Sequence, residues 1–245
     1  EQTSIAYGCA LILLILVLPF FISACNEESE DVAFELQADA YVVKKKIDGE
    51  TRFGTAFFAY GNKAIARATV DPPTGAADDS FELEATESSV YTFYKEPAAG
   101  DYSPTFPVQG QYLFDVESED GETLLETDLL ENGLLEIPVI TDASYHSGAE
   151  SMSVEWQAPE NADGHVVKLL NEEGKVIFLS YTLIATADEY DINQGSGNWD
   201  GTAYTGENYT LQVQAFTYEQ GVVQDELLYN IKEISVAETQ VAWGQ

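Results

Sequence analysis

Asn208-Tyr209-Thr210-Leu211-Gln212-Val213-Gln214-Ala215-Phe216 is the stretch that decides the fold. Tyr209, Leu211, Val213 and Ala215 alternate with Thr210, Gln212 and Gln214. Successive side chains of a strand point to opposite faces, so this pattern describes a strand with one dry and one wet side. On a helix, residues two apart lie on nearly opposite sides, and the same apolar set would split between core and water.

The period of two extends outward in both directions. Phe34, Leu36, Ala38, Ala40 and Val42 alternate with Glu35, Gln37 and Asp39. Asp48-Gly49 then supplies a tight hairpin turn, because both residues tolerate positive φ. Phe53–Tyr60 and Lys63–Val70 follow across Gly61-Asn62, and Pro72-Pro73-Thr74-Gly75 stops that run. Phe81, Leu83 and Ala85, then Val90–Tyr94, lead into a Pro/Gly-rich loop, Pro97–Pro107. Tyr112, Phe114 and Val116 alternate before a second hairpin signal at Asp120-Gly121. Beyond it, Met152, Val154 and Trp156 share a face, and His165–Leu170 and Lys175–Ser180 form a hairpin around Glu173-Gly174. Asp225–Ile234 is the one segment predicted as a helix, through Leu227, Leu228, Ile231 and Ile234. Ser235–Trp243 returns to period two.

Short strands separated by regular turns predict an all-β fold of antiparallel β-sandwiches. Ile137-Pro138-Val139 is the predicted boundary, since proline holds its predecessor extended. It divides an immunoglobulin-like sandwich at 32–138 from a second sandwich at 139–245. No long spacer separates them, so they are expected to abut. Roughly 220 residues follow the leader, enough for two small cores.

Ser153-Val154-Glu155-Trp156, Pro159, Gly164, Val166-Val167-Lys168-Leu169 and Tyr209–Ala215 together resemble a fibronectin type III domain. The family's strand-B tryptophan, turn proline, strand C and strand-F tyrosine corner all have counterparts here. The resemblance covers Val139 to Gln245. His165 departs from it, standing where strand C often carries tyrosine, as does the extended end after Phe216. Thr217–Gly221 lacks Arg-Gly-Asp, so integrin-type adhesion is not implied.

The leader is a separate signal. Ile5 to Ala24 is uncharged, and the run closes on Ile22-Ser23-Ala24-Cys25 before Asn26-Glu27-Glu28. An apolar core ending in small residues reads as a secretory signal. Its last four residues resemble the lipobox of bacterial lipoproteins, which implies cleavage before Cys25 and a lipid on its thiol. A plain membrane helix is the alternative, as about 20 apolar residues span a bilayer. Pro19 within the run and the small-small-Cys ending weigh against it. The sequence begins at Glu1 without the usual basic segment, so the true start is expected upstream. Asn26–Asp31 is an acidic tether, similar to the export signal of Bacteroidota-type surface lipoproteins. That resemblance implies a lipid-anchored outer-membrane protein exposed at the cell surface, the alternative being a periplasm-facing one.

Composition narrows the function. Both cysteines, Cys9 and Cys25, lie in the leader region, so no disulfide, cysteine nucleophile or cysteine zinc site is expected beyond it. Two histidines, His146 and His165, leave little for base or metal chemistry. With 43 acidic against 10 basic residues the formal charge is −33, which repels phosphate backbones and argues against nucleic acid. Asp78-Asp79, Glu117-Ser118-Glu119-Asp120 and Asp188-Glu189-Tyr190-Asp191 are read as solvated turns and strand faces rather than carboxylate pairs. No calcium-loop spacing or phosphate loop is present, and neither cofactor nor metal is expected.

Aromatic residues are the better lead. Trp199 lies in a polar loop between Asn198 and Asp200, a setting in which a ring could stack on a sugar while its neighbours bond the hydroxyls. The other reading folds Trp199 back as a lid over the sandwich end. Adjacent Phe57 and Phe58 point to opposite sides of their strand, so one faces away from its own core. The function expected is a non-enzymatic binding, scaffold or spacer module at the envelope, with a membrane contact through Cys25 and a protein or glycan partner. The alternatives are an accessory glycan-binding subunit of an outer-membrane nutrient importer and, third, an envelope hydrolase.

Overall fold

The computed structural model describes residues 32–76, 79–86, 89–221 and 230–244. Cys25 and the tether Asn26–Asp31 lie outside them. The chain forms β1 (Leu36–Ile47), β2 (Glu50–Gly61), β3 (Ile65–Asp71), β4 (Phe81–Glu82), β5 (Glu84–Thr86), β6 (Ser89–Lys95), β7 (Gly110–Ser118) and β8 (Thr123–Leu130). It continues through β9 (Val139–His146), β10 (Ser151–Gln157), β11 (Gly164–Leu170), β12 (Val176–Ser180), β13 (Leu183–Ile184) and β14 (Glu189–Ile192). Three more strands, β15 (Gly197–Trp199), β16 (Asn208–Tyr218) and β17 (Ile231–Ala242), complete the described fold. No helix occurs among the described residues, and the fold is all-β.

In the first half, β1-β2-β6-β5 packs against β4-β3-β7-β8. Asp48 and Gly49 turn β1 into β2 at φ 53° and 81°, as their tolerance of the left-handed region allows. Val42, Phe57, Val70, Phe114 and Leu130 fill the space between the sheets. Phe57 enters this core, while Phe58 stands opposite Tyr94 on the other face of β2.

In the second half, β14-β10-β9 faces β12-β11-β16-β17, a three-on-four sandwich of the immunoglobulin type. Met152, Val154, Trp156, Val167, Leu169, Leu211 and Val213 form its core. The Tyr209 hydroxyl accepts a bond from Tyr204 N at 2.8 Å and donates to Glu207 Oε2 at 3.0 Å. That bond back to the upstream backbone is a tyrosine corner, as the fibronectin type III resemblance implied.

The two halves share a sheet. Val42–Lys45 of β1 pairs in parallel with Glu233–Val236 of β17, so β17 lies between β16 and β1. One face of this seam is an apolar cluster of Tyr41, Val43, Ala56 and Val236. On its other side Glu233, fully buried, pairs with Lys44 at 2.8 Å. Glu233 Oε2 also accepts the Leu135 backbone N–H at 3.0 Å, and Lys44 Nζ donates to the Leu135 carbonyl. Ser235 Oγ donates to Glu136 O at 2.8 Å, so the connecting segment is strapped across the seam. A β-carbon at Gly133 would overlap the Glu233 carboxylate, which explains glycine there without any special φ.

The helix predicted over Asp225–Ile234 is corrected where it can be seen. Its residues up to 229 lie outside the described ones, and Ile231 to Ile234 belong to β17. Thr217 pairs with Glu233 but Tyr218 pairs with Ile231, so Lys232 is an extra residue in a β-bulge. A bulge flips strand parity, and Ile231 and Ile234, three apart, therefore pack against the same cluster. Three-residue spacing imitated a helix.

Candidate functional site

A concavity of about 630 Å³ opens at one flank of the first sandwich. Such a volume suits a drug-sized ligand or a short peptide. It forms where β6 stops at Lys95 while β2 continues back to Glu50, leaving the core uncovered beside Phe53–Phe57. The Pro97–Pro107 loop fills part of that space. Phe53 and Ser103 exchange backbone bonds of 2.8 and 2.9 Å, which pins the loop to β2. The Ala98 N–H donates to Asp101 Oδ2 at 2.9 Å and the Asp101 N–H to Ala98 O, also at 2.9 Å, holding Asp101 in a tight turn.

Phe57 and Tyr112, both buried, make the floor, with ring centroids 5.4 Å apart. Tyr112 donates its hydroxyl proton to Val108 O at 3.0 Å, so the ring is fixed at its polar end. Half-buried Phe81 meets Phe57 edge-on at 4.9 Å, and half-buried Phe53 leans on Phe106 at 5.4 Å. Lys95 Nζ sits 4.0 Å from the Phe81 centroid, a cation–π contact, and it makes no ion pair among the described residues. Asp79, Ser80, Asp101 and Thr105 line the exposed rim. The arrangement combines apolar walls with a charged mouth. It can bind, and the rim hydroxyl of Ser80 donates to Asp71 Oδ1.

Sequence reading missed this groove because its walls come from β2, β4 and the Pro/Gly-rich loop, far apart in the chain. Phe53, Phe81 and Phe106 were visible only as aromatic residues among many.

Trp199, Asn198 and Asp200 are brought together on and just after β15. The loop pairs with β12, Phe178 opposite Trp199, and this turns the indole inward. Its ring packs 4.8 Å from Phe178 and 5.8 Å from Trp243, and its Nε1 donates to Asn193 O at 3.0 Å. Trp199 is therefore half-buried against the second core, in the lid arrangement. Asn198 and Asp200 are exposed, and Asp200 pairs with Lys175 at 3.2 Å.

His146, Ser153 and Asp191 meet on the outer face of the β9-β10-β14 sheet. His146 Nε2 lies 3.1 Å from Ser153 Oγ, which donates to Asp191 Oδ1. The serine stands in the middle of this chain. Nucleophile activation needs the imidazole between serine and carboxylate, taking the hydroxyl proton while the acid orients it. Here that proton is directed at Asp191, on an open strand face. His165 is fully buried, 5.7 Å from Trp156, and burial holds its pKa below the usual histidine range. It packs as a neutral core residue. Of the acidic stretches, Asp78 lies outside the described residues, while Arg67 pairs with Glu117 at 3.7 Å and Lys63 with Asp120 at 3.7 Å. Among the described residues no group of three acidic, histidine or cysteine side chains is placed to hold a metal ion.

These features define an immunoglobulin-type β-sandwich protein with an open aromatic groove. No protein-family model matches the chain, and no curated protein matches it. Among solved structures it is similar to a two-domain fibronectin type III segment of chicken tenascin. The identity is 14% and the TM-score 0.28, over 85% of this chain and 99% of that one. It is also similar to a biofilm-associated protein BSP domain, at 14% identity and TM-score 0.24, over 84% of this chain and 30% of that one.

Proposed function

We propose that the chain is a lipid-anchored module of a bacterial cell envelope, tethered through Cys25 and acting as a non-enzymatic binding or scaffold body. The observation that carries this reading is the shared sheet. Pairing β1 with β17 and burying Lys44 against Glu233 makes the two sandwiches one continuous body rather than beads on a string. A body of that kind holds its groove at a fixed place relative to both sandwiches, as a scaffold needs. The strongly acidic surface suits an exposed, soluble body that repels its own copies. The lipobox-like Ile22-Ser23-Ala24-Cys25 supports the anchor, since two or more acyl chains give stable attachment where one does not.

Labelling with radioactive palmitate tests the anchor. The wild type should take up label and Cys25→Ser should not; equal labelling overturns the reading. Co-purification from solubilised membranes tests the scaffold role. A protein that emerges alone after mild cross-linking, with no stoichiometric companion, counts against it.

A further inference from the structure

We propose that the groove between Phe53, Phe81 and Phe106 is a peptide-binding site, and that its occupant is an extended segment of another protein carrying an aromatic or branched apolar side chain beside basic residues. The inference rests on the reading of the chain as a binding body and names what that body holds.

The walls set the apolar part. Phe57 and Tyr112 close the floor, and Phe53 and Phe81 leave their rings half-exposed above it. The rings meet one another tilted or edge-on, at interplanar angles of 59° and 63°. They enclose a concavity of ring faces and edges, which fits one bulky apolar side chain better than the flat face of a pyranose.

The backbone supplies a second feature. On the edge of β2 away from β1, Thr55 lines the groove between Phe53, which pairs with Ser103, and Phe57, where pairing with β6 begins. Pro97 crosses beside Gly54 there, and proline has no N–H to give. An extended peptide offers both a donor and an acceptor at such a position, in the manner of strand addition.

Charge decides the flanks. Asp79 and Asp101 stand at the mouth together with Lys95, and the whole chain carries −33. That field steers cations toward the groove and repels acidic segments. Lys95 is already drawn over Phe81, which marks that ring face as a place where a ligand cation can also rest.

The test uses the full-length chain in detergent and three fluorescent probes: an acetylated, amidated peptide with phenylalanine flanked by lysines, the same peptide with glutamates, and a neutral gluco-oligosaccharide. Anisotropy should rise with the lysine peptide alone and fall back as salt is added. Asp79→Asn with Asp101→Asn should weaken binding by about fivefold per carboxylate. Lys95→Glu should strengthen it several-fold, a gain that misfolding cannot produce. Glu155→Gln, a change at an exposed acid on β10 away from the groove, should leave it unchanged. Equal binding of the glutamate peptide, preferential binding of the oligosaccharide, no binding at all, or an equal loss with Glu155→Gln overturns the proposal. Each of those outcomes leaves the anchor and co-purification tests untouched, so the two readings fail separately.

Discussion

Lys44 and Glu233 form a buried ion pair of 2.8 Å across the parallel seam between β1 and β17, joining residues from opposite ends of the folded chain. Glu233 has no exposure, and among the described residues its charge is compensated by Lys44 and the Leu135 N–H. Removing one partner of a buried pair leaves the other charge stranded, at a cost of about 3–5 kcal/mol. Lys44→Met should therefore destabilise the protein by that amount in urea melts. Adding Glu233→Gln should recover part of the loss, because glutamine still accepts from Leu135 without a charge. A double variant as unstable as the sum of the singles would show that the pair is not coupled.

Gly133 tests the same seam sterically. A β-carbon there would overlap the Glu233 carboxylate, so alanine forces that carboxylate away from Leu135. Overpacking of this kind costs about 1–3 kcal/mol. Gly133→Ala should lower the urea midpoint, whereas Gly148→Ala, with open space around it, should not.

Acid should stabilise the protein. Asp39, Asp128 and half-buried Glu219 have pKa values above the ordinary carboxylate range, in each case chiefly through burial. Repulsion from neighbouring acids adds to it: Asp128 and Glu219 at Asp39, Glu126 at Asp128, and Asp128 and Glu131 at Glu219. Glu219 is pushed up to about 7. Asp39 Oδ2 accepts the Ile231 N–H at 2.8 Å and Asp128 Oδ2 the Ala40 N–H at 2.7 Å, so both acids stand at the seam. Lys232 is the nearby cation that opposes the shift of Glu219. At these three acids the folded state holds, between about pH 4 and 7, protons that the unfolded chain has released, so their contribution to stability falls as pH rises. Buried His165, held below the usual histidine range, contributes with the opposite sign and is outnumbered by them. The Tm should be higher at pH 5.5 than at pH 8. Asp39→Asn should raise the Tm at pH 8 and flatten the curve, because the amide oxygen still accepts from Ile231. General repulsion among surface acids has the same sign but is screened by salt, whereas the buried term is not. A pH dependence abolished by salt and unaltered in Asp39→Asn would assign it to the surface.

The strands were legible and their partners were not. Alternation at Met152–Trp156 and Tyr209–Ala215 marks strands because each buries one face, a property local to the segment, whereas β1 shows its alternation at Phe34–Ala38 and is buried on both faces from Asp39 to Lys44. The β1–β17 seam leaves no such mark. Parallel pairing of residues 42–45 with 233–236 depends on two distant edges, and neither sequence states its partner. The bulge at Lys232 misled for a related reason, since a strand buried on both faces loses its period. The groove escaped because a concavity belongs to the ends of several elements. Trp199 left two readings open, a sugar-stacking ring or a lid over the sandwich end, and three residues of pairing with β12 turn it inward in the lid arrangement.

The boundary between Pro138 and Val139 remains a proposal that a fragment can test. Residues 139–245 contain a complete core of their own, from Met152 to Trp243. In isolation the β17 edge and Glu233 regain water, so no charge is left buried there. Such a fragment should melt in one cooperative step with stability on the order of 5–10 kcal/mol. A fragment unfolded in native buffer would mean that the seam is indispensable to the second sandwich.

Three aromatic residues of that sandwich should separate by what they touch. Trp156 is buried between the sheets, and truncating such a ring to alanine costs roughly 3–5 kcal/mol through lost transfer energy and a cavity. Tyr209→Phe removes only a hydroxyl, but it leaves the Tyr204 N–H without its acceptor and Glu207 without its donor. The cost should be about 1–2 kcal/mol. Trp199 sits between these. Its ring stacks against Phe178 and Trp243, yet it is half-exposed and its cavity can partly collapse, so Trp199→Ala should cost about 2–3 kcal/mol. Trp199→Phe should recover most of that, because the Asn193 carbonyl it leaves is near solvent. Urea melts of the four variants give the order Trp156→Ala, Trp199→Ala, Tyr209→Phe, Trp199→Phe. A Trp199→Ala variant as stable as the wild type would mean the indole contributes nothing to the core. Quenching of tryptophan fluorescence by polysaccharide, lost in that variant, would then give the ring a ligand instead.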